Sequence, residues 1–334
     1  MTGFPHPLIV ADIGGTNCRL GLIDAPGGAA KPLGRIDSQG EGELHDAIAD
    51  FVTREGVKAR GALLAVAGPV TGVRMAITNA GRMLDGPALG KRLGLGAVMI
   101  VNDFEAQAAA LTTLKLADLV TLRAGDAEAN GARLAVGPGT GFGVGTLVDD
   151  GAGRLVVPSE GGHIGFGPET PDEARIWPHL EGIDGHITVE SVLSGAGLAR
   201  LVRAFAQADG AAAPELDAVA ITARALSGED ARCRAAVLMF LDLLARAAGD
   251  IALVAKATGG VFIAGGITPR LLPLLDAGRF AARFSERPPM SFMLSRMPIH
   301  VITAENPGFS GLGALANAAA RVRMPRPAIW TAGS

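Results

Sequence analysis

The 334-residue chain is long enough for two domains, and its 49% apolar and 19% charged residues provide for a sizeable core. A net charge of −3, with neither sign massed in a block, excludes a nucleic-acid or membrane-surface partner held mainly by charge. Two distant cysteines, Cys18 and Cys233, make neither a disulfide framework nor a zinc site. No run reaches the roughly 18 apolar residues of a membrane span, and residues 1–7 lack the plan of a secretion signal, so a soluble cytoplasmic protein is expected.

In chain order, residues 8–13, 19–24 and 32–36 read as strands joined by glycine-rich turns. Leu44, Ile48 and Phe51 fall at helical spacing within 43–54. A buried strand at 62–67 ends at Gly68-Pro69, a short helix at 88–93 follows, and a second buried strand at 97–101 opens a helix running to about Leu114. Strands alternating with helices in this way predict an α/β fold. The second half repeats the opening with strands at 134–136, 142–149 and 155–157. It then inserts helices at 188–193, 197–208, 216–226 and 229–258. Arg232 and Arg246 lie close to a whole number of turns apart, which predicts one solvated helix side. A strand at 261–264, helical pieces to Phe284, a strand at 299–303 and a last helix at 311–322 complete the pattern. Residues 325–334, with two prolines, read as a tail.

The chain is organised around Asp12-Ile13-Gly14-Gly15-Thr16-Asn17, at the first strand's end. Gly14 and Gly15 have no Cβ, so the backbone can turn sharply and approach a ligand. With Thr16 and Asn17 beside exposed amides, the turn suits a phosphate oxygen. Asp12 would repel a bare phosphate, and makes sense if a magnesium ion stands between them. Taken alone, the motif fits an ordinary polar hairpin equally well. Its echo argues for more. Gly139-Thr140 follows Gly15-Thr16 by 124 positions, and Gly145 follows Gly21 by the same interval. Such repetition signals duplicated architecture, two halves facing each other across a nucleotide. A third loop, Gly265-Gly266, follows its own apolar strand.

These motifs carry a resemblance. The series Asp12-Ile13-Gly14-Gly15-Thr16-Asn17, Val101-Asn102-Asp103-Phe104, Gly137-Pro138-Gly139-Thr140-Gly141, Glu160-Gly161-Gly162-His163, Glu190-Ser191-Val192-Leu193-Ser194-Gly195, Ile263-Ala264-Gly265-Gly266-Ile267 and Asn306-Pro307-Gly308 is similar, in order, to that of the bacterial glucokinases. These belong to the hexokinase family within the actin-like ATPase superfamily. The similarity runs from about Leu8 to Arg321. It implies a two-domain actin-like (ribonuclease H-like) fold, each domain a mixed sheet flanked by helices, with a cleft between them. The small domain would span 1–113 plus about 307–324, with the last helix packing back on it, and the large domain 114–306.

The activity implied is phosphoryl transfer from ATP, with Mg2+, to a hexose hydroxyl. Asp103, which by position alone fits a helix N-cap, matches the family's general base. Asn102, Glu160, His163 and Glu190 match its sugar-binding positions. Asp12 resembles the residue that holds magnesium through water. Thr16 and Thr140 resemble the hydroxyls near the β- and γ-phosphates, within the hairpins of Gly14, Gly15, Asn17, Gly139 and Gly141. Gly265 and Gly266 resemble the adenosine-side loop. A homodimer is implied by resemblance only.

Two departures qualify this reading. Where many relatives carry an aromatic residue after Thr-Asn, this chain reads Thr78-Asn79-Ala80-Gly81-Arg82-Met83-Leu84, which puts the sugar-side packing and strictness for glucose in question. The cysteine-rich zinc motif of the repressor/kinase group is absent, as is a helix-turn-helix ahead of Leu8. Three other readings stand beside glucose phosphorylation: a kinase for mannose, fructose or an amino sugar, a non-catalytic sugar-binding regulator, and an actin-like ATPase acting on a protein. The presence of both Asp12 and Asp103 counts against the second. Glu160-Gly161-Gly162-His163 counts against the third.

Overall fold

The structure, a computed structural model, describes residues 4–77 and 80–333. β1 (Leu8–Ile13), β2 (Asn17–Ile23) and β3 (Lys31–Asp37) form a meander before α1 (Leu44–Arg54). Next come β4 (Gly61–Val66), the small hairpin β5 (Arg74–Ala76) and β6 (Met83–Asp85), and α2 (Gly86–Leu93). β7 (Ala97–Asn102) then runs directly into α3 (Asp103–Ala110). An edge strand β8 (Leu119–Arg123) leads to a second meander, β9 (Arg133–Pro138), β10 (Phe142–Asp149) and β11 (Arg154–Ser159). The helical insert holds α4 (Pro171–Ile176), α5 (Val189–Val192), α6 (Gly195–Ala208), α7 (Ala218–Ser227) and α8 (Ala231–Ala255). The chain closes with β12 (Gly260–Ile263), α9 (Thr268–Leu271), α10 (Ala277–Ser285), α11 (Ser291–Leu294), β13 (Ile299–Ile302), α12 (Pro307–Ala316), β14 (Val322–Arg323) and β15 (Ala328–Thr331).

Two mixed sheets result, in strand orders β15-β7-β4-β1-β2-β3 and β14-β11-β10-β9-β12-β13-β8. Each places its meander beside parallel strands. β1 pairs antiparallel with β2 and parallel with β4, and β4 is parallel to β7. β9, β12 and β13 run parallel. Contacts divide the chain into two compact units. One holds residues up to Lys115, Gly145–Pro158 and the chain from Ala304 on; the other holds Leu116–Val144 and Ser159–Thr303. Residues 145–158, expected with the large domain, thus group with the first unit. Its core takes Ile9, Ala11 and Ile13 from β1 with Leu44, Ile48 and Phe51 from α1. The second core gathers Leu134 and Val136 from β9 with Phe240, Leu244 and Ile251 from α8.

Several sequence expectations are corrected. The helix expected at 311–322 begins at Pro307, whose missing N–H is no loss in a first turn, and stops at Ala316. Asn317 then accepts from Ala319 N at 3.1 Å, and Arg321 takes a left-handed φ of 51° before β14. The expected tail at 325–334 contains β15, an edge strand antiparallel to β7 with Trp330 opposite Val98. Pro325 and Pro327 precede that strand, so the prolines remove no ladder hydrogen bond. Trp330 lies where a Cβ on Gly90 would be, 2.0 Å from its ring. The helix expected to reach Leu114 ends at Ala110.

The solvated side expected on α8 is half wrong. Arg232 is 31% exposed, but Arg246 is 1% exposed and pairs with Glu173 at 2.6 Å. Its guanidinium lies 4.0 Å from the Phe166 ring centroid. The insert folds over that face, which periodicity within one helix does not reveal. Of the divergent stretch beginning at Thr78, Thr78 and Asn79 lie outside the described residues. Arg82, 6% exposed, donates to the carbonyls of Asp37, Glu41, Gly42 and Glu43, pinning the loop after β3.

Candidate active site

In the first unit, the candidate residues collect at the carboxyl ends of neighbouring parallel strands, where open α/β sheets place their ligands. Ile13 pairs with Val66 and Val66 with Asn102, which aligns the ends of β1, β4 and β7. Asp12 lies opposite Arg19 in the β1–β2 ladder, with Arg19 Nη1 3.6 Å from its Oδ2. Burial pushes the Asp12 carboxyl above the ordinary aspartate range, and Arg19 pulls it the other way. α12 starts over this carboxylate. A Cβ on Gly308 would stand 3.7 Å from Asp12 Cγ, and the positive end of the helix favours the anion there.

The turn itself closes through Gly14 N donating to Asn17 O at 3.0 Å, with Thr16 and Asn17 exposed. Neither Gly14 nor Gly15 has a positive φ, and a Cβ on Gly14 would meet only Asn17 O, at 3.6 Å. Neither the backbone conformation nor the packing of the turn therefore requires glycine at position 14.

Position 103 is also clarified. Asn102, not Asp103, is the N-cap of α3: its Oδ1 accepts from Phe104 N at 2.8 Å, and Glu105 accepts from Asn102 N at 2.7 Å. Asn102 Nδ2 donates to Gly68 O at 3.0 Å, which leaves its second N–H for a ligand. Asp103 is the first helical residue, half-buried, with one carboxylate oxygen accepting from Phe104 N at 3.0 Å. Its helix is seated tightly. A Cβ on Gly311 of α12 would lie 1.8 Å from Ala106 O, and one on Gly145 of β10 would lie 2.3 Å from Phe104 O.

In the second unit, the loops after β9 and β12 pack backbone to backbone. A Cβ on Gly137 would fall 2.2 Å from Ala264 O. Gly265, at a left-handed φ of 86°, would carry one 2.1 Å from Pro138 O. Gly139 and Gly266 are open, with nothing within 4 Å of a Cβ. The structure thus brings Gly139, Thr140 and Gly141 beside Gly265 and Gly266. Gly195 N, at the start of α6, donates to Gly139 O at 3.1 Å.

Glu160 and His163 share one turn, with His163 N donating to Glu160 O at 3.0 Å and His163 Nε2 3.7 Å from Glu160 Oε2. Both side chains are exposed. The strand-like residues that follow pair with those before Glu190: Phe166 N donates to Ile187 O at 3.0 Å and Val189 N to Ile164 O at 3.1 Å. Glu190 in turn accepts from Phe142 N at 2.8 Å, and a Cβ on Gly162 would lie 2.1 Å from Phe142 O. Glu160, His163, Glu190 and the glycine loop therefore form one cluster around the Phe142 backbone. Sequence reasoning assigned no individual role to Phe142, Gly162 or Gly308; Gly162 and Gly308 entered only as members of their motifs, and Phe142 only as the neighbour of one.

Among the described residues, no group of three or more His, Cys, Asp or Glu side chains is arranged to cage a metal. A single half-buried carboxylate such as Asp12 suits a magnesium ion whose other ligands are water and phosphate oxygens.

Two glycine-turn meanders, an acid at a strand end and a second acid opening a helix define a two-domain α/β sugar kinase, and known proteins agree. Residues 9–319 match the family model described as Glucokinase. A glucokinase of Rhizobium meliloti (strain 1021) is 39% identical over 314 residues, covering 94% of this chain and 93% of its own. The crystal structure of a glucokinase from an Antarctic psychrotroph matches with a TM-score of 0.77 and 36% identity, over 91% of this chain and 97% of that one. The glucokinase of Balamuthia mandrillaris in complex with glucose shares the fold, with a TM-score of 0.79 at 22% identity and 93% of each chain covered. The chain belongs to the glucokinase family.

Proposed function

We propose that this protein transfers the γ-phosphoryl group of ATP to the 6-hydroxyl of glucose, giving glucose 6-phosphate and ADP. The observation that carries this reading is the state of Asp103. Asn102 performs the capping, and Asp103 follows it as the first residue of α3, directly after the carboxyl end of β7, with one carboxylate oxygen accepting from Phe104 N. In the reaction the sugar oxygen forms a bond to Pγ, the bond from Pγ to the β–γ bridging oxygen breaks, and the hydroxyl proton passes to the Asp103 carboxylate. ADP leaves with the electron pair of the broken bond.

Asn102, Glu160, His163 and Glu190 bind and orient the sugar, and a hydroxyl left without its partner in a closed site weakens binding strongly. Gly14, Gly15, Thr16 and Asn17 in one hairpin and Gly139, Thr140 and Gly141 in the other offer backbone amides and hydroxyls to the phosphates. The open space at Gly266 suits a nucleoside lying against the backbone. Asp12 would hold a magnesium ion, which when bound would neutralise charge on the phosphates.

A coupled ADP-release assay over glucose, mannose, fructose and amino sugars tests the reading. Turnover with glucose far above the others is expected; preference for another hexose would move the assignment within the same chemistry, and no turnover with any would end it. The homodimer is a further part of the proposal, supported by resemblance, and sedimentation at micromolar concentration decides it. A cytoplasmic setting is a further part of the proposal, supported by two buried free thiols.

A further inference from the structure

Glu190 occupies the second position of α5, a single turn fixed from both sides. Thr188 N donates to Ser191 Oγ at 2.6 Å and Ser191 N to Thr188 Oγ1 at 3.2 Å, a reciprocal cap. Val189 and Val192 on the same turn are buried in the core. From this rigid base the Glu190 side chain reaches the loop after β9, where Oε2 accepts from Phe142 N. Oε1 has no hydrogen-bond partner among the described residues.

The fit around that carboxylate is close. A Cβ on Gly141 would lie 2.3 Å from Glu190 Oε2 and 3.0 Å from its Cδ. Gly141 has no positive φ, so its backbone would accept alanine. The glycine is there to admit the carboxylate. Gly139, two residues away in the same loop, makes no such contact.

We infer that Glu190 is a positioning residue that couples the two substrates, a role resting on the hexose-kinase reading above. One carboxylate oxygen anchors the nucleotide loop through Phe142 N–H, and the other is left for a sugar hydroxyl. A sugar that immobilises the carboxylate thereby steadies Gly139, Thr140 and Gly141. By linkage, nucleotide on the loop strengthens sugar binding by the same factor. The connection is a charge-assisted hydrogen bond at each end, with no larger rearrangement required.

Calorimetric titration of nucleotide-free protein with glucose tests this in wild type, Gly141→Ala and Gly139→Ala. The atom that Gly141→Ala displaces is the end of a flexible side chain, so the variant folds, as a thermal melt verifies. It is expected to bind glucose about tenfold to a hundredfold more weakly, the usual effect of spoiling a hydrogen bond to a charged group. Gly139→Ala, whatever it does to turnover, should stay within about twofold of wild type. Amide exchange over 139–142 supplies the second readout: glucose slows it in wild type and not in Glu190→Ala. Wild-type glucose affinity in Gly141→Ala, equal weakening in Gly139→Ala, or glucose protection surviving in Glu190→Ala would each overturn the coupling. A wild-type protein that binds no hexose would instead overturn the kinase reading on which it rests.

Discussion

The β1–β2 hairpin carries a carboxylate in its own strand, whereas the β9–β10 hairpin has the buried Val136 at the matching position and takes its carboxylate from Glu190 on α5. The second strands differ in the same way. Gly21 of β2 lies under Phe309 of α12, its Cβ position 3.0 Å from the ring, while Gly145 of β10 lies under the Phe104 carbonyl of α3 at 2.3 Å. One hairpin therefore supports the helix whose start covers Asp12. The other supports the helix that begins with Asp103. A duplicated turn has been given two tasks, and the difference lies in which acid each hairpin controls.

The strongest test of this division is Asp103→Ala. Turnover should fall roughly a thousandfold or more, the upper range for a lost general base, with glucose affinity by calorimetry little changed. A folded variant with near-normal turnover would remove Asp103 from the chemistry.

Asp12→Asn probes the other acid. Activity should drop roughly tenfold to a hundredfold, as for loss of a group that orients a metal through water, with the magnesium concentration for half-maximal rate raised. Stability should move the opposite way. The carboxyl of Asp12 is raised above 3.8 in the folded state, so the native protein holds that proton more tightly than the unfolded chain. The resulting stabilisation is full below 3.8 and lost as pH rises through the folded value. Asp12→Asn should therefore melt higher than wild type at pH 7, and that advantage should vanish on acidification below the ordinary aspartate value. A variant less stable at pH 7 would show that the α12 terminus and Arg19 outweigh burial.

The seats of the two helices differ in tolerance. Gly145→Ala forces a methyl against the backbone of α3, an overpacking worth about 1–3 kcal/mol of stability, and shifts Asp103 enough to lower turnover about tenfold. Gly21→Ala meets Phe309 Cε2 at 3.0 Å and Lys31 O at 3.1 Å, so a lesser loss of stability is expected, with turnover nearly kept. Equal losses in both variants, by denaturant melts and ADP release, would erase the distinction between the seats.

Much of this was legible before any coordinates. The alternation of strands and helices, the 124-residue echo and the strand-to-helix junction at Asn102 are local patterns of glycine and apolar residues, and the chain writes them directly. What sequence reading lost depends on distant partners. Trp330 looks like part of a proline-rich tail until β7 and Gly90 are in place. Arg246 looks solvated until Glu173 and Phe166 fold over it. Capping went to the wrong residue of the Asn102-Asp103 pair because both side chains suit an N-cap, and only the backbone shows which one precedes the helix.

The smallest expected effect separates two explanations for glycine in the first turn. Were Gly14 there for its backbone freedom, Gly14→Ala would destabilise the protein. Its φ lies outside the left-handed region and its Cβ position has ordinary contact with Asn17 O, so alanine should leave the melting temperature unchanged or raise it slightly through a less flexible unfolded chain. The deficit should appear in nucleotide binding, where a methyl occupies space that a phosphate oxygen would enter: an ATP KM raised severalfold, glucose affinity unaltered. Gly265→Ala is the contrast. There φ is 86° and Pro138 O stands 2.1 Å from the Cβ position, so stability itself should fall. A stability loss at Gly14 to match would mean that this turn is strained in a way its geometry does not show, and that its glycine serves the fold before it serves the nucleotide.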